Sequence, residues 1–339
     1  MRMDLATEPG DPRRPNEDYV SAVLPASGQG GALVLLDGVT PPEGDDGCVH
    51  GVPWFVARLG GKLLELSGSR RDMSLVDCLA ASISKVADTH RETCDLSHPL
   101  TPQATVIAAR WGGGSPGVPE VSGAAGAEIE HASRAAGPGA EHAPGAAGPK
   151  AESASRAAGP EVGYAPGAAG PEVEHASRTA GPEAEYTSGA PVSEVEYLVL
   201  SDSVLLLESA TADGGGTVTA VLDDRIDVLR AAGRRVAPLR NLEGGFFTAA
   251  ADPGVARRAV TGAVPRSSVR ALAALTDGAA RWVEVFAEGD WPDCLTLLRK
   301  EGSHGLIDRV RTLEAADPSR TAYRRGKTRD DAAVAFVEL

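Results

Sequence analysis

The residues best suited to chemistry in this chain are carboxylates, and they recur in one setting. "RRPNEDYV" (13–20) places Glu17 beside Asp18 just before an apolar run. "LVLLDG" ends in Asp37 and Gly38, "YLVLSDS" carries Asp202, "LAALTDG" carries Asp277, and "RDDAAVAFVEL" opens on Asp330 and Asp331. Each acid stands at the end of a β-type run. One such acid alone is ordinarily a solvated turn or a helix cap, so the recurrence is the signal. Acids at strand ends along one sheet edge converge in space, and crowded carboxylates need cations or protons between them. Ligation by oxygen alone suits Mg²⁺ or Mn²⁺. Two such ions about 3.5–4 Å apart acidify a shared water and orient it towards a phosphoryl group.

The acids need elements to hold them. "SAVLPA" and "GALVLLDG" read as strands, the second bounded by glycines. Phe55, Leu59, Leu63 and Leu66 fall at helical spacing from Gly51 onward. A second helix follows, with Ser74 as its N-cap and Leu75, Leu79, Ile83 and Val86 on one stripe. "QATVIAARW" reads as a strand. Further on, "VEYLVLSDSVLLLES" and "GGTVTAVLDD" give strands, with "SDS" as a tight turn between paired strands. Helices are expected at "RIDVLRAAG", "PGVARRAV", "AARWVEVFA", "WPDCLTLLRKE" and "HGLIDRVRTLEAAD". "VRALAALTDG" and "AAVAFVEL" close the set as strands.

Between these halves the composition changes abruptly. From Gly113 to about 195 the chain is Ala, Gly, Pro, Ser and Glu. Gly-Pro pairs fall at 137, 148, 159, 170 and 181, a period of eleven. A Gly-Pro in every repeat excludes a coiled coil, and no apolar face is available to stack. Twelve Glu against one Lys and three Arg lie between 115 and 196, a composition that predicts disorder. The expected organisation is one discontinuous domain, 1–112 and 196–339, with 113–195 as an insertion. The insertion interrupts a hairpin in which strand 104–110 pairs with strand 197–207. Long loops add little closure entropy, about 0.6 kcal/mol per doubling of length, which favours this over two domains.

The motifs "RRPNED", "LLDG", "QATV", "LVLSDS", "LTDG" and "RDDAAVAFV", taken in order, resemble the PPM family, the PP2C-type metal-dependent Ser/Thr protein phosphatases. The resemblance implies an α+β fold, a four-layer α-β-β-α sandwich of two mostly antiparallel sheets. It implies that Asp37 bridges two Mg²⁺ or Mn²⁺ ions, with Glu17 and the Gly38 carbonyl on one and Asp277 and Asp330 on the other. Asp18 stands behind them as a supporting partner. Arg13 matches the phosphate-binding arginine, with Arg14 as a rival, and Asp202 matches a ligand of a third ion. The implied activity is hydrolysis of phosphoserine or phosphothreonine on a protein substrate. The chain departs from the family in reading "DGVTP", without a histidine beside Asp37. It also places Arg281 four residues after Asp277, where the family carries an acid, which should weaken a third ion. These departures keep open a pseudophosphatase that binds a phosphoprotein with little turnover. An interaction scaffold built on the acidic repeat and a hydrolase of small phosphoesters stay open beside it.

The bulk numbers set limits. The 339 residues carry a formal net charge of −14, which argues against nucleic acid as a partner. Only 5 of the 33 basic residues are lysine, a bias read as GC-rich coding. The N-terminus has no apolar signal segment and no window approaches a membrane span, so a cytoplasmic monomer is expected. Cys48, Cys78, Cys94 and Cys294 have no CxxC spacing and read as reduced structural thiols. Cys94 and His98 form a pair far short of a zinc site. Ser115 in "GGSPG" fits G-x-S-x-G but lacks the helix that a nucleophile elbow requires.

Overall fold

The computed structural model describes residues 1–25, 30–112, 193–211 and 214–339. The Gly-Pro repeats and Ser115 lie outside the described residues. Ten strands run in chain order: β1 (Arg2–Glu8), β2 (Tyr19–Val23), β3 (Gly30–Gly38), β4 (Ala104–Gly112), β5 (Glu194–Leu200), β6 (Val204–Ala210), β7 (Gly216–Val221), β8 (Val260–Pro265), β9 (Val269–Leu275) and β10 (Ala332–Glu338). Five helices accompany them: α1 (Gly51–Ser69), α2 (Leu75–His90), α3 (Arg225–Ala231), α4 (Asp277–Glu284) and α5 (Trp291–Ala316). Two five-stranded sheets form, in the orders β2-β3-β4-β5-β8 and β1-β10-β9-β6-β7. Every named strand pair is antiparallel.

Side-chain alternation builds the four layers. On β3, Val34 and Leu36 pack against α1 and α2 with Phe55, Leu59, Leu79 and Ile83. Their neighbours Leu33 and Leu35 point the other way and meet Leu205, Leu272, Ala335 and Val337 of the second sheet. Beyond that sheet, Leu206, Ala273, Val334 and Phe336 pack on Trp282, Leu298 and Ile307 of α4 and α5. With both faces covered, the central strands read as unbroken apolar runs. The two-sheet α+β sandwich expected from the resemblance is therefore the observed fold.

The cap expected on α2 is present, and α5 carries one as well. Ser74 caps α2, its Oγ accepting from the Asp77 amide at 3.1 Å. Asp290 and Asp293 form a reciprocal capping box at the start of α5. Other expectations are corrected. The strand expected over 197–207 is two strands in different sheets. "SDS" is no hairpin turn but the crossover between them, with Ser201 at φ +73. β5 alone pairs with β4, and it begins at Glu194, inside the segment expected as insertion. "PGVARRAV" forms only a short 3-10 turn, Pro253–Arg258, before edge strand β8. Gly262 is needed in β8 because the Tyr197 ring occupies the space of a Cβ. β1 is an edge strand dotted with charges, and no alternation in its sequence announces it. The two helices expected from 291 to 317, by contrast, are both present: α5 is two helical segments meeting at Gly302, whose backbone is non-helical (φ +79, ψ 178) and where the Ser303 amide donates to Asp4 Oδ2 at 3.0 Å.

The residues that flank 113–192 lie side by side, since Ser193 Oγ donates to the Gly112 carbonyl at 2.6 Å. Excising 113–192 and joining Gly112 to Ser193 through about five Gly/Ser residues shortens that loop by about four halvings, a gain of about 2.4 kcal/mol in closure entropy. The melting temperature of the excised protein is expected to hold or rise. A fall of more than about 4 °C, roughly 1 kcal/mol for a domain of this size, would show instead that the segment packs on the sandwich.

Candidate metal centre

Strand register assembles the acids. Tyr19 pairs with Leu36, which sets Glu17 and Asp18 beside Asp37. In the other sheet, Leu275 pairs with both Val334 and Val204, so Asp277, Asp330 and Asp202 emerge at one end. Asp331 fastens the two groups: its carboxylate accepts from the Gly10 amide at 2.7 Å and the Glu17 amide at 2.6 Å. Two glycines permit the close approach. A Cβ on Gly38 would lie 2.4 Å from the Glu17 carbonyl oxygen, and one on Gly278 would lie 1.9 Å from that of Asp331.

The acids perturb one another. Burial raises the pKa of Asp18 well above its ordinary value, with Asp277, Asp331 and Asp330 adding to the rise and a Thr276 hydrogen bond opposing it. Burial likewise raises Asp37, reinforced by Asp277, Asp18, Asp202 and Asp330. Asp277 is pushed up to about 6 by burial and by Asp330 and Asp202, against Arg281 and Lys327. Asp202 is raised by burial, with Arg230 and Arg240 drawing it back. Asp37, Asp202, Asp277 and Asp330 line one cleft with Thr40, Arg230, Arg240, Arg281 and Lys327.

The donor set fits hard divalent cations. All the side chains are carboxylates, and the buried Asp18 Oδ2 has no hydrogen-bond partner. Asp330 is the exception. Arg281 donates to its Oδ2 at 2.7 Å and Lys327 to its Oδ1 at 2.6 Å. Arg281 is buried and also pairs with the buried Glu314. Its positive charge, expected to disfavour a third ion, acts directly on the acid expected to hold the second. Lys327 further donates to Thr40 Oγ1 at 3.0 Å, and Thr40 donates to Glu17.

Arg13 stands outside this cleft. Its side chain is 87% exposed and paired with Asp11. Arg14 lines a smaller cleft with Glu17, Lys327 and Asp330. Sequence reasoning missed three participants. Thr40 and Lys327 lie in loops and carry no periodic signal. Glu284 had one, because Asp277, Arg281 and Glu284 stand at i, i+4 and i+7 on one face of α4. Glu284 sits at the mouth of the neighbouring cleft with Asp202 and Asp277. Its pKa is pushed up to about 7 by loss of water there and by Asp227, Asp277 and Asp202.

The two sheets, their strand order and the acids at one end decide the comparison with known structures. The fold is that of the PP2C-type Ser/Thr phosphatases. The serine/threonine phosphatase Stp1 from Staphylococcus aureus superposes with a TM-score of 0.50 at 11% identity, over 99% of this chain and 94% of that one. A point variant of a bacterial serine phosphatase also gives 0.50 at 11% identity, over 100% and 98%. No family model matches the chain, and no curated protein matches its sequence. The PP2C-like fold is thus recorded in the path of the chain and in a few motifs.

A raised carboxylate pKa means that the folded state binds the proton more tightly than the unfolded chain. For Asp277, stability should therefore fall as pH rises from about 4, its unfolded value, to about 6. In chelator at pH 7, Asp277→Asn is expected to melt higher than the wild type, by an upper bound of about 3 kcal/mol. Equal melting temperatures at pH 7 would mean that Asp277 is not under strain from its neighbours.

Proposed function

We propose that this chain hydrolyses phosphoserine or phosphothreonine on a protein, with two Mg²⁺ or Mn²⁺ ions. The observation that carries the reading is the convergence of acids from four separate segments, Asp37, Asp202, Asp277 and Asp330, on one cleft, with a buried carboxylate oxygen of Asp18 beside them left without a partner. The shared fold supports it, since the similar solved structures are, by name, a serine/threonine phosphatase and a serine phosphatase.

In this reading Asp37, Glu17 and the Gly38 carbonyl would hold one ion, and Asp37, Asp277 and Asp330 would hold the other. When bound, the ions supply Lewis acidity, acidifying the attacking water and neutralising charge on the phosphoryl oxygens. Asp18 orients the pair from behind, and Asp331 holds the Glu17 backbone in register through its amide. Arg281 and Lys327 hold Asp330 in place through direct hydrogen bonds. They also occupy both of its oxygens, so Asp330 would hold an ion less firmly than an unpaired carboxylate would. Arg14 and Lys327 line clefts beside the acids and are better placed than Arg13 to meet phosphate oxygens; Arg230 and Arg240 line the main cleft with Lys327 and add to its positive charge. With no histidine beside Asp37, solvent supplies the proton to the departing hydroxyl of the substrate. Asp202 remains near the mouth for a loosely held further ion, with Glu284 as a second acid in place of the one that Arg281 replaces.

Asp37→Asn is expected to cut Mn²⁺-dependent release of phosphate from a phosphothreonine peptide by more than about 100-fold, with the melting temperature in chelator unchanged or raised. Full activity in that variant would overturn the site. Hydrolysis of p-nitrophenyl phosphate by the wild type, with phosphopeptides untouched, would reassign the substrate to small phosphoesters.

A further inference from the structure

The cysteines read as scattered thiols are in part gathered. Cys78 and Cys294 are buried in the helix layers, and burial pushes Cys294 up to about 12. Cys48 and Cys94 instead meet across 46 residues of chain, with two histidines between them. Cys48 and His50 end the loop that follows Asp37, and His90 and Cys94 end α2 and begin the turn after it. One ligand atom from each of the four lies within 4.8 Å of the others. Among the described residues, no set of three carboxylates is gathered this tightly.

The spacings are those of a coordination shell. Sγ of Cys94 lies 3.5 Å from Sγ of Cys48 and 3.3 Å from Nδ1 of His50. Sγ of Cys48 lies 3.8 Å from Nδ1 of both His50 and His90. A tetrahedral zinc ion with bonds of about 2.3 Å to sulfur and about 2.0 Å to nitrogen has ligand–ligand edges of about 3.3–3.8 Å. Both thiols are free, and hydrogen bonding alone gives two thiols and two imidazoles little reason to cluster. The chain spacing, Cys-x-His and His-x₃-Cys, puts two donors on each of two segments, as structural zinc sites do. Neighbours hold the rings: the Trp54 ring stacks on His50 at 4.2 Å and tilts against His90 at 5.0 Å.

The surroundings supply a need for such a clamp. Residues 39–50 contain no helix or strand and include Pro41, Pro42, Gly44, Asp45 and Asp46. This stretch has little apolar surface to bury, yet it connects Asp37 and Gly38 to the first turn of α1. Its backbone is already drawn to the far segment, because the Asp95 amide donates to the Gly47 carbonyl at 2.8 Å.

We propose that Cys48, His50, His90 and Cys94 form a structural Cys₂His₂ zinc site that pins the loop after Asp37 to the end of α2. All four positions are filled by protein, so the ion has no open site for substrate and the role is structural. Soft sulfur and nitrogen donors also separate this site from the oxygen-only acids, which favour Mg²⁺ or Mn²⁺.

The test uses the full chain purified under reducing conditions and freed of loosely held metal by brief dialysis against chelator. Elemental analysis is expected to find one zinc per chain. Stripped protein given Co²⁺ should show tetrahedral d–d bands together with sulfur-to-cobalt charge transfer, which carboxylates cannot produce. Cys94→Ser should lose the zinc and at least halve the charge-transfer intensity, while Cys78→Ser and Asp37→Asn should keep both. Absence of zinc together with absence of thiolate–cobalt bands in the folded wild type overturns the proposal. So does undiminished cobalt charge transfer in Cys94→Ser, or a Cys48–Cys94 disulfide that persists in reductant. If Cys94→Ser does not fold, the wild-type stoichiometry and cobalt spectrum still decide.

Discussion

Mutual repulsion among carboxylates is the constraint around which this molecule is arranged. Asp18, buried, and Asp37, Asp202, Asp277 and Asp330, half-buried, meet at one end of the sandwich, where water screens them only in part. Such a cluster is tolerable only with protons or positive charge among its members. The chain supplies part of that charge itself, through Arg281 and Lys327 on Asp330. It relieves another part by giving Asp331 two backbone amides. What is left is a group of strained acids, raised in pKa and short of partners, which is the electrostatic setting in which divalent cations bind.

The rest of the fold supports that strain. Two sheets packed on both faces make a platform that yields little, so the register of β2 on β3 and of β10 on β9 fixes where each acid stands. Glycines at 38 and 278 let backbones approach to distances that any side chain would forbid. Arg281 shows how local replacement redirects a site without dismantling it. Where an acid would recruit a further ion, a buried guanidinium binds Glu314 and Asp330 together and stiffens the junction of α4 with α5.

Two classes of donor divide the molecule. Oxygen donors gather at the sheet end. Sulfur and nitrogen donors gather where the loop after Asp37 meets the end of α2, and that loop has few apolar residues to hold itself down. A cross-link by soft ligands does there what burial does elsewhere. Oxygen donors favour hard divalent cations and sulfur and nitrogen donors softer ones, so the two sets differ in the ions they could take.

Apolar runs ending in Asp37, Asp202 and Asp277, and the run opening after Asp330, were enough to single out most of the acids, while the sandwich came from the resemblance that those motifs carry. The runs show strand and acid together because strand ends are where buried elements reach solvent. Ser74 and the stripes of α1 and α2 were legible for the same local reason. Edge strands β1 and β8 were not, since half-exposed strands carry charges, Gly and Pro that blur a period of two. The path of "SDS" was settled in three dimensions, because nothing in the run tells a hairpin from a crossover between sheets. Arg13 and Arg14 are indistinguishable in one dimension and separate only when the loop is placed. The Cys–His group is the extreme case. Cys48 and His90 are 42 positions apart on unrelated elements, and each half of the group alone is a chance pairing. Local periodicity reports on burial, which acts along the chain, whereas ligand sets and ion pairs depend on distances that only the packed helices and sheets impose.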